Sequence, residues 1–349
     1  MRCGPISVVL LFFLSTSLAG AAVPVALAQP VPALRVAASI APLAAIVTDV
    51  CGENVEVLAL LPEGVEPHAF SATPEMVLAA QDSDLLVLTG HFPWENEITS
   101  QTSTPYISLA DYEEYGARLS PLPGLMEENQ SSEESNNGNP HGYWLLPTNA
   151  LAIANATRVV LSLIEPSLAS QFEEGFNSMV HRVGDLHTFV GELDQELHFT
   201  EMRSIVVFPA EAYIAEAFGI EVRGVLQIGD NIFISGSALL EIQTALSNGS
   251  IGLILGSDVG DLQTGGEFAR QLVLDTGASL VWWRAVFSGS ADYVGLMMYN
   301  LGALASVLRN SGGNTGDTTL LIVLAAIAVV LGLVALGEGV VLIQRAKAM

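Results

Sequence analysis

Leu60-Leu61-Pro62-Glu63-Gly64-Val65-Glu66-Pro67-His68-Ala69-Phe70 follows a run in which Val55, Val57, Ala59 and Leu61 alternate with their neighbours, the period of a β-strand. Thr73-Pro74-Glu75-Met76 comes next and reads as a helix start, with proline at the first helical position. His68 therefore sits on a strand-to-helix loop. In an open α/β sheet such loops lie beyond the carboxyl ends of the strands, where ligands bind. Pro67 keeps the backbone extended before the histidine, and Pro62 and Pro67 leave the loop little freedom.

Outward from this loop the alternation continues. Strand patterns at 35–38, 55–61 and 85–88 are separated by helical patterns at 43–50 and 74–80, and 105–109 adds a further strand. Such alternation predicts a parallel sheet covered by helices. Pro147 opens a helix to Ile164, Pro166 interrupts it, and a second helical pattern runs from about Leu168 to Leu197. About thirty residues at ~1.5 Å each span roughly 45 Å, long enough to bridge two lobes. Beyond it the chain repeats itself: strands at 204–208, 220–226, 251–255 and 279–282 alternate with helices at 210–218, 238–246, 268–274 and 291–308. The expected fold class is α/β, two parallel-sheet lobes joined by a long backbone helix, with a cleft between them. The expected organisation is an amino-terminal lobe over 34–146, bridging helices over 147–198 and a carboxyl-terminal lobe over 199–309.

A second Pro-His pair stands in Asn139-Pro140-His141-Gly142-Tyr143-Trp144-Leu145-Leu146-Pro147-Thr148-Asn149-Ala150, again just before a helix. With it the chain resembles the metal-binding substrate-binding proteins of ABC transporters, the zinc- and manganese-uptake family. The likeness runs from about Val36 to Arg309. It is carried by both Pro-His stretches, by Ala38-Ser39-Ile40-Ala41-Pro42-Leu43, by Asp84 to Gly90, and by Asp292-Tyr293 through Met297 to Leu301.

The resemblance implies a metal held by two histidines of the first lobe and by a histidine or glutamate plus an aspartate of the second. His68 and His141 match the first pair. Where relatives carry the third ligand, this chain reads Val207-Phe208-Pro209-Ala210-Glu211-Ala212-Tyr213, so Glu211 is its nearest substitute. Arg284 falls where the aspartate belongs, and a permanently protonated guanidinium cannot ligate a cation. Three explanations stand: Arg284 pairs with Glu211, Glu63 or Glu66 and closes a vestigial site; it holds an anion that completes a metal complex; or it turns away while His91, Glu95 or Asp230 ligates instead. His91 follows the strand at 85–88 and so ends at the same rim as His68. His181, His187 and His198 lie on or near the bridging helix and are assigned to helix-surface or interlobe hydrogen bonding.

Imidazole with carboxylate suits zinc, with manganese or iron as alternatives. The expected function is capture of such an ion for an ABC permease by a monomer. The competing reading is a degenerate member that acts as a surface adhesin or binds a metal chelate. An enzyme is not expected, because no HExxH helix or paired nucleophile and base is present.

The 349 residues carry 37 acidic against 12 basic side chains, and Lys347 is the only lysine. Nucleic acid is excluded as a partner, since phosphate binding needs a basic footprint. The acidity also serves solubility or a salty habitat. Cys3 and Cys51 are the only cysteines, and Cys3 falls in a leader. A disulfide framework and a cysteine-rich zinc site are thereby excluded.

Residues 1–28 have the outline of a secretory signal, ending in Ala26-Leu27-Ala28. At the other end 310–318 reads as a tether and 319–343 as a membrane-spanning helix. Arg345 and Lys347 in the tail at 344–349 put that end in the cytoplasm and the folded part outside a cell membrane crossed once. The stretch 112–140, with its acidic run Glu127 to Asn137, is expected to be a disordered loop. Asn129, Asn155 and Asn248 stand in Asn-x-Ser/Thr sequons.

Overall fold

Valine-, leucine- and alanine-rich strands buried on both faces pair most readily in parallel, with helices as crossovers. The first lobe runs β1 (Leu34–Ala38), α1 (Ala41–Cys51), β2 (Val55–Ala59), α2 (Pro74–Gln81), β3 (Leu85–Val87), α3 (Pro93–Thr99), β4 (Tyr106–Ile107) and α4 (Leu109–Glu114). Its sheet has the order β2-β1-β3-β4, every pair parallel. The computed structural model describes residues 34–124, 138–229, 232–234, 236–287 and 292–312.

The chain then passes through α5 (Pro147–Ile164) and α6 (Ala169–Leu197). Pro166 lies in the short turn between them, where its missing N–H and its fixed φ end the first helix. Phe172, Met179, Val183, Leu186 and Val190 form the buried stripe of α6 at helical spacing. Gly175 lets this helix press against α1, because a Cβ there would overlap the Val50 carbonyl.

The second lobe comprises β5 (Arg203–Val206), α7 (Glu211–Phe218), β6 (Glu221–Val225), β7 (Gln227–Gly229), β8 (Ile232–Phe233), α8 (Ser237–Ser247), β9 (Leu253–Ser257), α9 (Asp258–Asp261), α10 (Thr264–Thr276), β10 (Ser279–Trp283) and α11 (Tyr293–Gly312). Its parallel sheet has the order β10-β9-β5-β6, and β7 and β8 form a separate antiparallel pair.

In both sheets the chain leaves the first-formed strand to one side and returns on the other, between β1 and β3 and between β5 and β9. Loops at the carboxyl ends diverge at such a reversal and leave a crevice. The loops carrying His68 and His91 end on this rim of the first lobe, and those carrying Phe208 and Asp258 on that of the second.

Two expectations need correction. The strand expected over 105–109 is only Tyr106–Ile107, because Ser108 caps α4 with its backbone N–H on Asp111 Oδ2. The stretch expected to be patternless from 112 is ordered through Gly124, and Asn149 accounts for part of this. Its Oδ1 accepts the Arg118 N–H at 2.9 Å and its Nδ2 donates to the Arg118 carbonyl at 2.8 Å. The acidic run at 127–137 lies outside the described residues, as do the leader, most of the tether, the expected membrane helix and the tail. Among the described residues no helix is long and apolar enough to cross a membrane.

Candidate metal centre

Each of the three loops at the first-lobe rim is fixed by its own hydrogen bonds. Trp94 Nε1 donates to the Pro67 carbonyl at 3.1 Å, which holds the residue before His68 against α3. The His91 loop is organised by Glu95, whose buried carboxylate accepts the N–H groups of Thr89, His91 and Phe92 and the Thr89 hydroxyl. Gly90 makes the turn before it at φ 71°, a conformation that favours glycine.

The His141 loop is tied to the other lobe. Asn139 Oδ1 accepts the His141 N–H at 3.0 Å while its Nδ2 donates to the Pro209 carbonyl at 2.9 Å. Trp144 Nε1 reaches the Ala285 carbonyl at 3.0 Å, and Tyr293 Oη donates to the Leu145 carbonyl at 2.8 Å. Gly142 takes φ 81°, and a Cβ there would stand 2.9 Å from Ala210, so only glycine lets the lobes meet so closely.

These loops bring His68, His91 and His141 together. One ligand atom from each ring lies within 4.8 Å of the others. Ring centroids are 4.8 Å apart for His68 and His91, 5.2 Å for His68 and His141 and 4.5 Å for His91 and His141. Burial, reinforced by the neighbouring imidazoles, lowers the His91 pKa to about 4 and that of His141 to about 2. Both rings are therefore neutral at pH 7, the state in which imidazole ligates a metal.

The second lobe faces this cluster with an apolar wall. Phe208, Ala210, Val259 and Val286 line the cavity, whose volume is about 20 Å³. The Phe208 ring centroid is 5.0 Å from that of His141 and 6.4 Å from that of His68.

The other sequence candidates among the described residues are not part of this cluster. Glu211 is fully buried, accepts the Phe208 N–H at 2.7 Å and pairs with the Ser257 hydroxyl at 2.5 Å. Burial pushes its pKa up to about 8. Glu95 is spent on the loop it organises, and Asp230 falls outside the described residues. Arg284 turns away: its guanidinium stacks 4.1 Å from the Tyr299 ring centroid, and its backbone is clamped by Asn300. His181 and His187 are on α6 and His198 follows it, none of them in the cluster.

Asp258 and Asn139 escaped sequence reading. Asp258 accepts the N–H groups of Ala285, Val286 and Phe287 and so shapes the wall beside Arg284. Burial raises its pKa against the lowering effect of those bonds. A half-buried acid that gathers three consecutive N–H groups leaves no local sequence signature.

Comparison with known proteins agrees with this architecture. The manganese-binding lipoprotein MntA of Halalkalibacterium halodurans is 23% identical over 202 residues, which is 57% of this chain and 62% of that protein. The chain thus spans somewhat under two thirds of the curated relative it matches. The solute-binding protein FpvC of Pseudomonas aeruginosa, solved with Mn2+, superposes with a TM-score of 0.62 at 20% identity, covering 80% of this chain and 99% of that one. A Mn-bound periplasmic metal-binding protein of Candidatus Liberibacter asiaticus gives 0.62 at 18% identity, over 79% and 99%. The family described as ZnuA, zinc-uptake complex component A, periplasmic, matches residues 36–307, and the chain belongs to that family.

Proposed function

We propose that the chain is the extracytoplasmic solute-binding component of an ABC importer and captures one divalent transition metal ion on His68, His91 and His141. The observation that carries this reading is the convergence of three imidazoles within 4.8 Å, two of them on loops at the carboxyl ends of parallel strands. Zinc is the first candidate. Among the described residues the donors are imidazole nitrogens with no carboxylate beside them, and such sets suit zinc, whereas manganese prefers oxygen ligands. This sets the chain apart from its relative named as manganese-binding.

A cavity of about 20 Å³ admits an ion or a water-sized group and is too small for a metal chelate. A ligand-free adhesin keeps one supporting observation, the apolar wall that replaces second-lobe ligands. It is less favoured, because such a protein would have no use for three histidines gathered in one cavity.

Delivery goes to a permease in the same membrane. The apolar stretch 320–336, followed by Arg345 and Lys347, supports a carboxyl-terminal anchor that would raise the local concentration at that permease. Calorimetric titration of the chelator-stripped full-length protein tests the reading. Zinc should bind one-to-one with a submicromolar Kd and manganese more weakly, and His68→Ala or His141→Ala should abolish tight binding. No heat with either ion would overturn it.

A further inference from the structure

Asn139 is fully buried, and its N–H, carbonyl, Oδ1 and Nδ2 each hold a hydrogen bond. Its N–H donates to the Ser120 carbonyl at 2.8 Å. Its Oδ1 accepts the His141 N–H, while its Nδ2 donates to the Pro209 carbonyl. A donor faces one end of the amide and an acceptor the other, so only one orientation of the side chain satisfies both. The Asn139 carbonyl accepts the Tyr213 hydroxyl at 2.6 Å, and that hydroxyl in turn accepts the Ser120 N–H at 2.9 Å. Pro209 and Tyr213 belong to the second lobe, just before and within α7.

Beyond His141 the chain is held by the first lobe, through the Tyr143 hydroxyl on the Thr89 carbonyl at 2.8 Å. His141 therefore stands midway along a crosspiece, Asn139 to Tyr143, bonded to the second lobe at one end and to the first at the other. The loops of His68 and His91 are fixed by Trp94 and Glu95 of their own lobe. The His68 loop also meets the second lobe where Gln263 Nε2 donates to Glu66, but at 3.4 Å, the weak end of the hydrogen-bond range.

Buried hydrogen bonds resist displacement because their groups have no water to turn to. Movement of Pro209 and Tyr213 is thus passed through Asn139 to the backbone of His141.

We infer that Asn139 is a positioning residue for the metal site. Together with Tyr213 it makes the place of His141 depend on the second lobe, so that the histidine cluster is complete with the lobes closed and loses His141 when they part. This rests on the three-histidine reading of the site. It gives the second lobe control over release of the ion through the backbone of a ligand.

The test follows zinc association and dissociation by stopped flow with a chromogenic chelator, on the full-length protein. Tyr213→Phe removes one hydroxyl. Asn139→Ser keeps an oxygen that can accept the His141 N–H, as serine does in such turns, but is too short to reach Pro209. Both variants should release zinc about tenfold faster, the order expected for one buried hydrogen bond, with association within about twofold of wild type. Arg118→Ala is the control. It removes the Arg118–Glu216 pair, which holds the Ser120 segment against α7, without touching Asn139, and should release zinc at the wild-type rate.

A wild-type release rate in either test variant, with one-to-one binding retained, would overturn the inference and leave the three-histidine site standing. Equal acceleration in Arg118→Ala would also overturn it, since general loosening would then account for the effect. No zinc binding by the wild type would overturn both readings. Either variant decides the matter if the other does not fold.

Discussion

Nε2 of His91 lies 3.0 Å from Nδ1 of His141, although the two residues are fifty positions apart and on separate loops. Between two neutral rings such a contact needs one N–H and one lone pair. A metal ion replaces that shared proton with its own charge, so the same geometry that pairs the rings gathers them as ligands. On the proposed reading His91 is itself a ligand. His91→Ala should weaken zinc binding at least as much as loss of a metal's outer-shell partner, about 10- to 100-fold. Competition with a chromogenic chelator measures this, and an affinity within about twofold of wild type would remove His91 from the site.

Arg284 stacks on Tyr299 and not on the metal cavity, so its charge does not oppose the ion at close range. Arg284→Ala should leave zinc affinity within about twofold and cost about 0.5–1 kcal/mol of stability, the worth of a surface cation–π contact. Arg284→Asp should likewise bring no sharp gain in metal affinity. A large gain would mean that the side chain swings into the cavity and that the second lobe can still supply a ligand.

Glu211 gives folding a pH dependence of definite sign. Its pKa is about 8 in the buried pair with Ser257, against an ordinary 4.5. Between those values the native state keeps a proton that the unfolded chain releases, so its contribution to stability is complete below pH 4.5 and is lost as pH rises to about 8. His91 and His141 act oppositely. They stay neutral in the fold to about 4 and about 2, so acidification below about 6.5 favours the unfolded chain. Glu211→Gln retains a donor for Ser257 and an acceptor for the Phe208 N–H. The urea midpoint of this variant should no longer fall between pH 5 and 8 while the acid-side loss persists, and zinc affinity should not change.

Arg182 joins three elements. Its guanidinium on α6 pairs with buried Asp49 of α1 and lies 3.3 Å from Asp292 at the start of α11, while Asp49 also accepts the Tyr293 N–H. Burial raises the Asp49 pKa and Arg182 opposes that rise. Arg182→Met strands a carboxylate that is only 4% exposed. It should cost on the order of 2 kcal/mol, below the full cost of breaking a buried pair because the guanidinium is partly solvated. Adding Asp49→Leu should recover part of the loss, and denaturant unfolding of both variants checks it.

How much of this was legible in the sequence varied with the range of the interactions. The parallel sheets and the long α6 follow from strand and helix periods and from the break at Pro166, all local signals. His68 and His141 stand out because proline precedes each on a strand-to-helix or loop-to-helix junction. His91 could be placed on the same rim by strand order, but the 3.0 Å approach to His141 depends on how Glu95 folds its loop, which no spacing encodes. The direction of Arg284 is set by Tyr299 and Asn300, a helix away. β7 and β8 are too short to show a period, and the order through 115–124 comes in part from the side chain of Asn149.

The net charge of −25 bears on stability at every site discussed. Few of the 37 acidic side chains can find a cationic partner among 12 basic ones, so mutual repulsion acts mainly on the folded state, where the charges are closest. Salt screens that repulsion, with a Debye length falling from ~10 Å at 0.1 M to ~3 Å at 1 M. Surface pairs such as Arg35–Glu56 and Arg309–Glu196 weaken at the same time, but exposed pairs contribute about 0–1 kcal/mol each and are few. Repulsion should therefore dominate. The thermal midpoint of the metal-free protein should rise steadily from 0.05 to 1 M sodium perchlorate, a salt that by itself disfavours compact states. A rise in this salt can come only from screening, and a flat or falling midpoint would show that the acidic side chains are spaced widely enough not to repel.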